Sequence, residues 1–79
     1  MTGTIKISAE DSRSIQRALQ QITDRGIRRE AFRQAQEAII NKFNECINVH
    51  DYESEQKAIK VGINEALRII GVIRVKNHF

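Results

Sequence analysis

The chain has 79 residues, 41% of them hydrophobic and 29% charged, which bounds a single small domain over residues 1–79. Thirteen basic and ten acidic side chains leave a net charge of +3, a mixed solvated surface well short of a histone-like composition. The absence of Pro and the presence of only one Cys exclude strong helix breakers and an internal disulfide, and a lone Cys suits a reducing compartment.

The segment Thr4-Ile5-Lys6-Ile7-Ser8 alternates polar and apolar residues, the period of a short strand. Ser8 then reads as a helix cap, with Glu10 and Asp11 placed well for the positive end of a helix dipole. A first helix is expected from Ala9 to about Arg25, with a narrow stripe of Ile15, Ala18, Leu19 and Ile22. Gly26 follows the cation Arg25, the usual order at a helix C-terminus, so Gly26 is expected at the corner between helices one and two.

The stretch Ile27 to Val49 is the expected central helix. Its apolar residues Phe32, Ala35, Ile39, Phe43 and Cys46 recur in steps of three and four. Ile40 and Ile47 widen that stripe, and Ala31 and Ala38 flank it, so it needs neighbours on more than one side. Arginines at its start oppose the dipole, and Glu30 and Glu37 offset part of this by pairing with Arg33. Asp51 is placed to cap a third helix, Tyr52 to Ile70, with the stripe Ile59, Ile63, Ala66, Leu67 and Ile70. Ala58, Gly62 and Ala66 form a line of small residues that lets another backbone come close. Gly71 is expected to end this helix, and Val72-Ile73-Arg74-Val75-Lys76 reads as a second short strand. The expected architecture is mostly α, a three-helix core with short terminal β-strands, either all-α or a small α+β fold.

Several arrangements of reactive residues can be weighed. Cys46 and His50, four apart, would share a face on a continuous helix, with Asp51 and His78 as further ligands, but no second spaced pair supports a metal site. The same two residues as nucleophile and base fail because Cys46 falls on the apolar stripe, where a buried thiol is inert. No Gly-rich phosphate loop occurs, so neither an enzyme nor a cofactor is expected. The N-terminus carries no apolar run of a signal peptide, and the stretch Ile69–Ile73 is too short to span a bilayer, so no membrane association and a cytoplasmic location are expected.

Two partner readings follow. Arg13, Arg17, Arg25, Arg28, Arg29 and Arg33 form the densest basic cluster and suit a nucleic-acid backbone or an acidic protein surface, although Glu10, Asp24, Glu30 and Glu37 interleave with them. Val61 and Ile69 lie off the main stripe, and with Val72, Ile73, Val75 and Phe79 they are candidates for an oligomer or partner interface. The expected function is therefore a non-catalytic interaction protein, an inhibitor, adaptor or assembly factor acting through protein–protein contacts, as a homodimer. The alternative is a small basic nucleic-acid-binding module that uses the Arg cluster.

Overall fold

A computed structural model describes residues 6–77. They form three helices in series: α1, Ala9–Gln20; α2, Arg25–Cys46; and α3, Tyr52–Lys76. Each begins on a side-chain cap that satisfies an orphan N–H of its first turn. Ser8 Oγ accepts from the Asp11 N–H at 3.1 Å, Asp24 Oδ1 from the Ile27 N–H at 3.0 Å, and Asp51 Oδ1 from the Ser54 N–H at 2.7 Å.

The helices run up, down and up. Asp11 near the start of α1 pairs with Lys60 of α3 at 3.4 Å. At the other end, Ile22 and Arg74 line the same cleft. So α1 lies parallel to α3 and antiparallel to α2. Counting 1.5 Å per residue, α1 is about 18 Å long against about 33 Å for α2 and 37 Å for α3. The short helix therefore covers only part of a long α2–α3 hairpin, and the molecule is elongated, 44 × 21 × 20 Å.

The hairpin seam is made of small residues. Ala31, Ala35 and Ala38 on α2 and Ala58, Gly62 and Ala66 on α3 are all buried. A Cβ built on Gly62 would lie 2.9 Å from the Ile39 Cα, so the two backbones touch here, as the small-residue line predicts. Ile15, Leu19 and Ile22 fill the groove over Ile39, Ile59, Ile63 and Ile70.

Four expectations are corrected. Gly26 is not a corner. The first helix stops at Gln20, where the Gln21 and Ile22 N–H groups turn back onto the Ala18 and Leu19 carbonyls, and Gly26 sits inside the first turn of α2 behind its cap Asp24. Gly71 does not end α3, because none of the described glycines has a positive φ and Ile73, three residues after Ile70, continues the core-facing stripe. The strand expected at Val72–Lys76 is thus the last turns of α3. As a helix this segment hydrogen-bonds internally, whereas a lone strand would have no neighbour for its backbone groups. Thr4 and Ile5 lie outside the described residues, Lys6–Ser8 has no regular structure, and no strand occurs among the described residues.

Phe32 and Cys46 are the fourth correction. Both fall on the expected stripe of α2, yet Phe32 is 44% exposed and Cys46 is exposed. Phe32 stands at the edge of the buried stripe of Ala31, Ala35, Ala38 and Ile39, turned about 75° from its centre, and Cys46 is the last residue of its helix.

Candidate interaction surface

Two residue series run along α3 with the same spacing. Ile59, Ile63, Ala66, Ile70 and Ile73 advance by four, three, four and three, and all face the core. Val61, Glu65, Arg68, Val72 and Val75 repeat those steps two residues later. Two residues are a rotation of about 200° on a helix, so the second series lies on the opposite side, within an arc of about 80°. Both series have the 3.5-residue mean spacing of a coiled-coil seam. The inner one is wholly apolar and occupied by α1 and α2. The outer one is exposed at Val61, Arg68, Val72 and Val75 and half-buried at Glu65.

Val61 and Val72 are each 41% exposed, and Val75 is 68% exposed. Ile69 is half-buried at the edge toward α2, and Ile73 packs inward against the core. The structure thus joins Val61, Val72 and Val75 on one side of α3, leaves Ile69 at its margin toward α2 and removes Ile73 from it. Phe79 lies outside the described residues.

Glu65 and Arg68 stand at the middle of the outer series. Arg68 Nε donates to Glu65 Oε1 at 3.2 Å and Nη2 to Oε2 at 2.6 Å, a two-pronged fork. That fork holds the Glu65 carboxyl below its ordinary range and raises the Arg68 guanidinium above its own. Sequence reading missed both residues as parts of a surface. The signal was present in the steps of four and three that link them to Val61 and Val72.

The basic candidates divide. Because α2 starts at Arg25, the residues Arg25, Arg29 and Arg33 stand four apart along one uninterrupted helix. Arg28 turns away and its Nε donates to the Ile22 carbonyl at 2.9 Å. Arg33 is held between Glu30 and Glu37, with Nη1 2.5 Å from Glu37 Oε2. The bonds that Glu30 accepts from Arg33 and Gln34 lower its carboxyl to about 2. Arg13 and Arg17 project from α1 on the side away from Ile15. Among the described residues, Arg13, Arg17, Arg25 and Arg29 form no ion pair.

The remaining chemistry is sparse. Cys46 ends α2 while His50 lies in the connection, beside Glu55 at 3.7 Å, so the two do not share a helix face. Among the described residues no group of three or more His, Cys, Asp or Glu is arranged to hold a metal, and His78 lies outside them. An open cleft of about 480 Å³ at one end of the bundle is bordered by Ile22, Asp24, Ile27, Arg74 and Asn77. Two of its polar groups are already engaged, Asp24 as the α2 cap and Asn77 as a donor to the Ile73 carbonyl. No described helix is long and apolar enough to cross a membrane. In comparisons with known proteins, no family model, no curated protein and no solved structure matches this chain.

Proposed function

We propose that the chain is a non-catalytic interaction protein, an adaptor, inhibitor or assembly factor, that engages another protein chain through the outer side of α3. Val61, Val72 and Val75 are its contact residues, with Ile69 at the margin. The observation that carries this reading is the second seam itself. Single exposed apolar side chains are ordinary on any protein surface. Three valines in coiled-coil steps, on a helix whose opposite side already fills a core, have the pattern by which helices recognise helices. The lone cysteine fits action in a reducing compartment, the cytoplasm.

The second reading is a nucleic-acid-binding module using Arg13, Arg17, Arg25 and Arg29. The unbroken row of Arg25, Arg29 and Arg33 favours it. Two of the six candidate arginines, Arg28 and Arg33, are committed to bonds within the chain, which makes it the weaker of the two.

The test is photo-crosslinking in living cells with a benzophenone side chain placed at Val72, and separately at Arg17. Discrete protein adducts from Val72 and none from Arg17 are the expected result. Adducts confined to Arg17, or nucleic acid as the only species captured, would overturn the reading in favour of the second.

A further inference from the structure

We infer that the occupant of the outer α3 seam is a second copy of this chain, packed antiparallel about a two-fold axis that passes α3 between Ala66 and Leu67. This inference rests on the interaction reading above and names its partner.

A two-fold interface must be self-complementary: if one residue meets another across it, the reverse contact occurs too. The outer seam satisfies this in its order of residues. Val61 and Val72 stand equally far from its midpoint, and so do Glu65 and Arg68. In an antiparallel pair Val61 therefore falls opposite Val72 of the second copy, and Glu65 opposite Arg68 of the second copy. Each Arg68 already forks its own Glu65. Two copies brought together close a ring of four charges of alternating sign, flanked on both sides by valine pairs. Parallel pairing is disfavoured by the same residues, because it sets Glu65 against Glu65 and Arg68 against Arg68.

The size of the contact sets its strength. One helix crossing another over about four turns belongs at the low end of specific interfaces, below roughly 1,200 Å², so the association is weak and reversible. At the margins Lys57 meets Lys76 of the second copy, a like-charge pair in open solvent that moderate salt screens.

The experiment is analytical ultracentrifugation up to about 500 µM, in about 100 mM salt, on wild type, E65R, R68E, the E65R/R68E double variant and an equimolar mixture of the two single variants. Wild type is expected to dimerise. Each single variant places like charges together twice and is expected to weaken association at least tenfold. The mixture restores opposite charges at both contacts and forms the heterodimer, and the double variant pairs with itself. Far-UV circular dichroism reports whether each variant is folded. Orientation is read separately, in a C46S background: V61C mixed with V72C should form an intermolecular disulfide that V61C alone does not.

A wild-type monomer throughout this range overturns the inference. So does a disulfide formed by V61C alone, or a mixture of folded single variants that fails to recover. If Val72 still captures a different protein in cells, the second copy is excluded while the interaction reading stands. If Val72 captures nothing and the chain is monomeric, both fall.

Discussion

Gly62 and Ile39 meet backbone to backbone. A methyl group at position 62 would stand 2.9 Å from the Ile39 Cα and 2.9 Å from its carbonyl oxygen, and neither atom can swing aside as a side chain could. G62A therefore has opposing effects. It gains about 1 kcal/mol of helix propensity and must separate the two helices at their closest point, where overpacking costs about 1–3 kcal/mol. The net expectation is a lower urea midpoint, with loosened packing of Ala35 and Ala66 on either side.

Gly71 provides the opposite result within the same helix. Nothing lies within 4 Å of a Cβ built there, and its φ is not positive. G71A should raise stability by about 0.5–1 kcal/mol, seen as a higher urea midpoint at constant slope. A destabilised G71A would mean that α3 bends or ends near this residue.

The caps of α2 and α3 should not be equally important. Asp24 is the only acid at the very start of α2, whose first turn carries Arg25 and Arg28 and no acid. Asp51 is followed by Glu53 and Glu55 in the first turn of α3. Removing a cap costs about 1 kcal/mol. D24A should exceed that figure, because it also strips the one negative charge from a positive helix end, and D51A should fall below it. Chemical denaturation of the two variants side by side gives the comparison.

Arg28 ties the first connection to α2. Its Nε bond to the Ile22 carbonyl satisfies a backbone oxygen in the turn that carries the buried Ile22 side chain. R28A is expected to cost about 0.5–1.5 kcal/mol, the ordinary worth of a hydrogen bond, and R29A almost nothing. Thermal unfolding of both variants separates the structural arginine from the solvated one.

Acid should weaken the fold through carboxylates that the helices hold ionised. Glu30, bonded by Arg33 and Gln34, titrates near 2 instead of 4.5, and Asp51 and Glu65 are lowered as well. Between those two values the unfolded chain binds a proton that the folded chain refuses. Stability contributed by Glu30 is therefore complete above about pH 4.5 and is lost as the pH falls toward 2. The effect is modest because the group is exposed, and E30Q should flatten it. Melting curves from pH 6 to 2 at low salt, repeated in about 1 M salt where screening removes most of the difference, check both the sign and the cause.

Much of this arrangement was legible in the chain, and the failures share one physical origin. The stripes of Ile15 and Leu19, of Ala35 and Ile39, and of Ile59, Ile63, Ala66 and Ile70 all face the core, because their periods are set by helix geometry alone. Ser8 and Asp51 cap as expected for the same local reason. Glycine misled twice. Gly26, standing after the cation Arg25, and Gly71 both read as helix ends, a local preference worth about 1 kcal/mol that is outweighed by a cap at Asp24 and by burial of Ile73. Phe32 and Ile39 are close in angle on α2, and periodicity alone does not tell the edge of a buried stripe from its centre, which depends on where the neighbouring helices lie. The Arg row of α2 became continuous only once the helix was seen to start at Arg25. The outer seam of α3 was half visible, since Val61, Ile69, Val72 and Val75 stood out as apolar while the link through Glu65 and Arg68 required one unbroken helix.

The two series on α3 keep a constant offset of two residues, which locks them in phase. Substitutions can alter either one and leave the other untouched, because they share no residue. A deletion or insertion cannot. One residue lost near the middle of the helix turns everything beyond it by about 100°, so that Ile70 and Ile73 leave the core as Val72 and Val75 leave the outer side. Variation in this helix is therefore confined to exchanges of side chains at fixed length, and changes of chain length belong in residues 21–24 and 47–51, where they rotate neither series.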